Sequence, residues 1–263
     1  MKHNIIFAAR DIREGLLNHQ VWVSLALEEI KQRYRRSIIG PFWITISMGI
    51  LVFSMGPLYG NLLGIEMAVY VPHLAIGIIL WSYISGVIND GCNAFLSSGA
   101  LITQVKLPLS IFIFKTIFRN FIVLGHNMII IMIILFMYPP EEGIFILSTI
   151  FGLALVTINL FAFTFIVSVI STRFRDVTQL VSNILQLLFF VTPVLWTSEA
   201  LRSHRYLLDW NIFFHFLEVI RKPLMGMTPE VTSFIMVAIG SLTFSIAAFL
   251  TFARFRAQIS YWM

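Results

Sequence analysis

The sequence predicts an all-α integral membrane protein with six transmembrane helices, an N-terminal amphipathic interfacial helix, and a re-entrant periplasmic helical hairpin between spans five and six. Three observations carry this expectation. First, six apolar runs, Pro41–Gly60, Tyr70–Ile88, Asn120–Tyr138, Ile144–Ile170, Val177–Thr197 and Val231–Ala253, contain no Asp, Glu, Lys or Arg. About 20 helical residues at 1.5 Å rise cross a hydrocarbon core of roughly 30 Å, so each run is long enough to span. Second, 58% of the 263 residues are hydrophobic and the mean hydropathy is +0.87, beyond the usual range of a soluble domain. Third, the basic residues sort by side. With both termini cytoplasmic, Lys2, Arg10, Arg13, Lys31, Arg33, Arg35, Arg36, Lys106, Lys115, Arg119, Arg173, Arg175, Arg254 and Arg256 lie inside, and only Arg202, Arg205, Arg221 and Lys222 outside. That asymmetry follows the positive-inside rule and accounts for the net charge of +5 without nucleic acid.

Residues 1–40 form a cytoplasmic interfacial and gate region ahead of a transmembrane domain at 41–263. Val23, Ala26, Leu27, Ile30 and Tyr34 recur at helical spacing, with Ser24, Glu28, Lys31, Gln32 and Arg35 on the other face. Glu28 with Lys31 and Glu29 with Arg33 are spaced for intrahelical pairs. Arg10, Asp11, Arg13 and Glu14 interrupt any secretory-type apolar core, so no leader is expected to be removed. The segment 89–120 is mixed in character, contains Gly91, Gly99 and Pro108, and reads as a short helix and turn that suits a docking element. Arg173-Phe174-Arg175-Asp176 closes span four with a tight inner turn. The outer segment 198–230 is too long to lack structure. Phe213, Phe216, Leu217 and Ile220 share a helical face there, which suggests a hairpin dipping into the membrane where protein or water satisfies its backbone.

Several chemistries are absent. No Gly-Lys pair occurs, so there is no nucleotide-binding P-loop, and neither H-E-x-x-H nor C-x-x-C is present. The single cysteine, Cys92, excludes an intrachain disulfide. His73 and His126 have no nearby carboxylate in sequence, which favours packing or interhelical hydrogen bonding over catalysis. A membrane enzyme on a lipid-linked sugar would have to use Glu199 and Asp209, which lack a partner motif. The spans also lack the midplane ionisable group of a proton- or sodium-driven carrier. Transport energy would therefore come from another subunit.

Three stretches bear a family pattern. Glu29-Ile30-Lys31-Gln32-Arg33-Tyr34-Arg35-Arg36-Ser37-Ile38-Ile39-Gly40-Pro41-Phe42-Trp43 resembles K-x-R-Y-x-x-S-x-L-G-x-x-W at the entry to span one, with Ile39 for leucine. Arg173-Phe174-Arg175-Asp176-Val177 is the second stretch. Asn211 through Gly226 is similar to N-P-x-x-H-x-x-E-x-x-R-x-P-L-x-G, with Ile212 where the family often has proline. With Thr192-Pro193-Val194, these resemble the membrane subunits of ABC exporters for lipid-linked polysaccharide, the Wzm and KpsM type. The resemblance implies a bacterial inner-membrane homodimer, joined to two copies of a separate ABC ATPase that holds ATP and Mg; this chain would bind no cofactor or metal. The cargo would be undecaprenyl-pyrophosphate-linked polysaccharide, O-antigen first and capsule or teichoic acid as alternatives. A drug or small-lipid exporter remains a further alternative. By the resemblance, Arg33, Tyr34, Arg35, Arg36, Ser37, Gly40 and Trp43 would serve the substrate headgroup. Glu28, Glu29, Leu101, Lys106 and Pro108 would couple to the ATPase, and Arg173, Arg175 and Asp176 would form the inner turn. Asn211, Phe213, His215, Phe216, Glu218, Arg221 and Pro223 would gate the exit.

Overall fold

The computed structural model describes residues 2–33, 35, 37–40, 42–199 and 205–263. Among these residues the chain forms eleven α-helices, one 3-10 turn and no strand. Five helices are long and apolar enough to cross a membrane: α3 (Phe42–Leu63), α4 (Met67–Cys92), α6 (Ser110–Met137), α7 (Ile146–Arg173) and α11 (Val231–Trp262). The shorter ones are α1 (Lys2–Leu17), α2 (His19–Arg33), α5 (Gly99–Gln104), α8 (Val177–Val191), α9 (Tyr206–Asp209) and α10 (Ile212–Leu224). The end of the bundle that carries residues 93–109 is termed the inner end.

Helix α4 is the hub, buried from Tyr70 to Trp81 without interruption, and α3, α6, α7, α8 and α10 all pack on it. Without a hydrophobic drive between helices in lipid, close approach and polar bonds decide pairing. Accordingly α3 lays Gly56 against Val71 and Gly60 against Tyr70 of α4, buries Val52 one turn away, and leaves its other face bare. Helices α7 and α11 run parallel: Phe151 meets Phe234 and Phe163 meets Phe244. Between these rings the Asn159 amide donates to the Val237 carbonyl at 3.2 Å and to Ser241 at 2.7 Å.

The N-terminal region differs from expectation. It holds two helices, and α1 buries Ala8 and Asp11 against the bundle. In α2 Ala26 is buried but Leu27 is exposed, because the helix is oriented by Trp22, whose ring lies 5.9 Å from Phe114 and 5.1 Å from Phe118. The inner connection is also shorter than 89–120: α4 runs to Cys92 and α6 starts at Ser110, so Lys115 and Arg119 stand inside a long helix.

The expected fifth span is helical only to Val191. Pro193 disfavours helical geometry at the residue before it, and Thr192 is extended at φ −86°, ψ 138°. The 15 residues of α8 rise about 22 Å, and the chain continues outward as irregular backbone through Thr197.

Candidate functional site

At the outer end, residues 192–199 and 205–224 are held by polar bonds to one another and to neighbouring helices. Backbone outside a helix has no internal partners, so its carbonyls need others. Arg221 of α10 donates to the Pro193 carbonyl at 2.7 Å, Tyr70 of α4 donates to the Leu195 carbonyl at 2.6 Å, and His73 Nε2 lies 3.1 Å from the Trp196 carbonyl. Helix α10 starts deep in the bundle. Asn211 caps it, accepting from the Phe213 and Phe214 amides, while its own amide donates to Thr192 at 2.9 Å. The Phe213 ring sits between Trp81 at 5.8 Å and Phe163 at 6.2 Å, whereas the other end of the helix receives the Phe145 amide on the Pro223 carbonyl. The helix therefore climbs outward along α7. It passes so close at Gly152 that a Cβ there would stand 2.3 Å from the Val219 oxygen.

The polar residues of α10 are fixed in place. His215, buried, bridges Ser233 of α11 and the Asp209 carbonyl, both at 3.0 Å. Glu218 and Arg221 are buried and pair at 2.7 Å, and Lys222 takes the second Glu218 oxygen at 2.8 Å. Outside them Arg205 binds Glu230 through one nitrogen at 2.5 and 2.6 Å. That hydrogen bond, with Lys222 nearby, holds the Glu230 carboxyl below the usual carboxylate range. A cavity of about 500 Å³ opens between this network, His73 and Met227. Phe216 is fully buried, and Pro223 lies within the last turn of α10.

At the inner end, the predicted headgroup residues divide. Tyr34 and Arg36 lie outside the described residues. Arg33 ends α2 and is exposed, as is Arg35. Ser37 and Gly40 build a turn: the Gly40 amide donates to the Ser37 hydroxyl at 3.0 Å, and Gly40 adopts φ +61°, which glycine alone takes at no steric cost. Trp43 is half exposed on the first turn of α3.

The predicted acids also separate. Glu28 pairs with Lys31 at 2.8 Å on the surface, as its spacing implies. Glu29 does not pair with Arg33. It reaches across to α6, to Lys115 at 3.2 Å and to Arg119, and Arg119 in turn binds Asp90 of α4 at 2.5 Å. Asn120 donates to the same Asp90 at 2.8 Å, and the neighbouring Asn89 accepts from Ser182 of α8 at 2.8 Å. The two buried cations of α6 make this the better pairing, because they would otherwise be left without counter-charge. One chain of polar contacts thus connects α2, α6, α4 and α8.

A second knot secures the coupling segment. Asp11 of α1, buried, accepts from the backbone amides of Leu109 and Ser110 at 3.1 and 2.9 Å, capping α6 from another helix. The Ser110 hydroxyl returns to the Asp11 carbonyl at 2.8 Å, and Arg256 of α11 pairs with the Asp11 carboxylate at 2.7 Å. Lys106 and Pro108 line an adjacent cavity of about 380 Å³ with Arg256, while Leu101 of α5 is partly buried against the core. At the inner turn Arg173 covers the rings of Phe174 and Trp262 at 5.2 and 5.3 Å, and Arg175 and Asp176 are exposed.

Residues 20–225, from α2 through α10, match the ABC-2 type transporter family. The chain belongs to the ABC-2 transporter membrane family. This ABC-2 chain is similar to the O-antigen export system permease protein RfbA of Myxococcus xanthus, with 27% identity over 203 residues, 74% of this chain and 75% of that one. It is similar also to two proteins of that name from Klebsiella pneumoniae, at 25% and 24% identity over 187 residues, in each case 68% of this chain and 70% of the relative. In this ABC-2 protein, sequence reasoning missed Asp11, Asp90, Lys115, Arg119 and Arg256 as members of sites. Lys115 and Arg119 carried a usable signal: two cations one helical turn apart beside a long apolar run, a spacing that puts both on one face.

Proposed function

We propose that this ABC-2 protein is the transmembrane subunit of an ATP-driven exporter that moves undecaprenyl-pyrophosphate-linked O-antigen polysaccharide from the cytoplasm to the periplasm. The observation that carries this reading is the similarity to O-antigen export permeases over about three quarters of both chains, together with a family match that takes in both the α2 region and the outer hairpin. The functional unit is a homodimer with two copies of a separate ATPase.

Two features of the fold support a two-copy pore. Helix α8 exposes Gln179, Asn183 and Gln186 on one face, with Gln179 donating to Asn183 at 3.0 Å. Lipid cannot satisfy amides at that depth, whereas an aqueous path shared with a second copy can. The bare face of α3 offers further surface to the partner. In this reading α8 with residues 192–197 makes the sixth crossing, and α9–α10 is a re-entrant gate held shut by Arg221 and Glu218. The ATPase acts on residues 93–109 and α1, and its motion passes through the Asp11 and Glu29 knots. Arg33, Tyr34, Arg35 and Arg36 meet the pyrophosphate, for which guanidinium forks are suited.

Deletion of the chain in cells tests the reading. The expected result is loss of surface O-antigen with lipid-linked polymer accumulating inside, and co-purification of the tagged chain with an ATPase. Loss of capsule or teichoic acid with O-antigen intact would move the cargo to an alternative, and unchanged surface polymers with altered drug tolerance would refute polysaccharide export.

A further inference from the structure

A groove of about 640 Å³ runs between α1 and the inner part of α11, with Asn4 and Ile5 on one wall and Leu250, Thr251, Ala253 and Phe255 on the other. Arg254 stands at its rim. Three other inner arginines are engaged: Arg256 by Asp11, Arg10 by Glu14, and Arg173 by two rings. Arg254 has only the Phe255 ring beneath it at 5.5 Å, and among the described residues no carboxylate pairs with it. Its depth is set by the helix. At 1.5 Å per residue, Arg254 lies roughly 35 Å along α11 from Val231, just past one hydrocarbon thickness. The groove is therefore apolar where acyl chains lie and cationic where phosphates lie. Ile6 and Phe7 of α1 add exposed apolar surface beside it, as on a helix resting in the interface.

From this juxtaposition we infer that the α1–α11 groove holds one anionic glycerophospholipid of the inner leaflet, its acyl chain along Leu250 and Phe255 and its phosphate on Arg254. The occupant belongs to the membrane and not to the cargo, because the groove lies at the inner end of α11, away from the outer stretch that meets α10 at Ser233 and Gly240, and among the described residues its lining holds one cation, too few for a diphosphate. The site goes beyond the export reading and rests only on α11 crossing the bilayer.

The test uses the full-length protein, delipidated in neutral detergent and titrated with phosphatidylglycerol or phosphatidylcholine of identical chains, with bound lipid counted by native mass spectrometry. The wild type should retain one phosphatidylglycerol with about fivefold preference, the scale of one arginine against an anionic lipid. R254Q should abolish the preference and R254K should keep most of it. L250W, at an exposed groove position, should lower occupancy by both lipids with Arg254 intact. Equal binding of the two lipids by the wild type, or an unchanged preference in R254Q, would overturn the site. Displacement of phosphatidylglycerol by an equimolar isoprenoid diphosphate would overturn it too, by giving the groove to the cargo lipid. None of these readouts needs the ATPase or export.

Discussion

Asp11→Ala is the sharpest perturbation of the inner end. The side chain is fully buried, caps two amides of α6 and pairs with an arginine whose side chain is one-third exposed. Removing a helix cap costs about 0.5–2 kcal/mol, and a charge-assisted hydrogen bond is worth about 1.5–3 kcal/mol. Water can reach Arg256 and recovers part of the second amount, so the expected loss is roughly 2–4 kcal/mol. R256Q removes only the partly exposed pair and should cost about 1 kcal/mol. Because the two residues touch, the double variant should be less unstable than the sum by about 1 kcal/mol. Denaturant unfolding in detergent measures all three. In the complex, Asp11→Ala at permissive temperature should leave ATP hydrolysis near normal while export falls, since the residue ties residues 93–109 to α1 and α11 without touching nucleotide. A destabilisation under 0.5 kcal/mol with full export would refute the reasoning, and so would ATPase and export falling together in an intact complex.

Gly152→Ala should displace α10 from α7 and cost about 1–3 kcal/mol by overpacking, seen as a lowered unfolding temperature and faster hydrogen exchange at residues 212–224. Glu230 has a lowered pKa, so its tie to Arg205 is fully present above the ordinary carboxylate range, near 4.3, and is lost as pH falls through the depressed value. Protection factors at residues 205–211, which correct for the intrinsic pH dependence of amide exchange, should therefore stay flat from about pH 8 to about pH 5 and fall only in stronger acid; E230Q should be weakly protected throughout, and a transition near neutrality would contradict the assignment. For the headgroup proposal, Arg33→Lys or Arg35→Lys should reduce export roughly tenfold with assembly intact if either grips pyrophosphate through its fork, and full export by both would reduce them to anchors. Cys92 is buried and cannot report topology, so cysteines at the exposed Gln104 and Glu141 should label only from the cytoplasm and only from the periplasm, respectively.

Elements whose pattern is local were legible in the sequence. The helix expected around Phe213, Phe216, Leu217 and Ile220 is present as α10, although it is buried on every side from Phe214 to Arg221 and not on one face, and the Glu28–Lys31 spacing matches the observed pair. What escaped depends on partners distant in the chain. Glu29 has an acceptable local partner in Arg33, and only the folded bundle presents the better one, 90 residues away on α6. Helix α1 was missed because charges at 10, 11, 13 and 14 mask a short apolar stripe, and one of those charges, Asp11, faces inward as a cap. The early end of α8 was written in Thr192-Pro193 but overridden by a run of apolar residues that satisfied the length of a span.

The backbone from Thr192 to Thr197 gives up neighbourly helical bonds for partners 28, 123 and 125 residues away. Local bonds can form as soon as a segment leaves the translocation machinery; the Leu195 and Trp196 carbonyls must find α4, already made, and the Pro193 carbonyl must wait, since Arg221 arrives only after α10 has been made. The segment must then wait for the hairpin before it can dry out, and consolidation of this corner comes late in biogenesis. A chain stalled before α10 would carry a bare Pro193 carbonyl and would be a natural target for quality-control proteolysis, whereas the α7–α4 pair beside it would already be set.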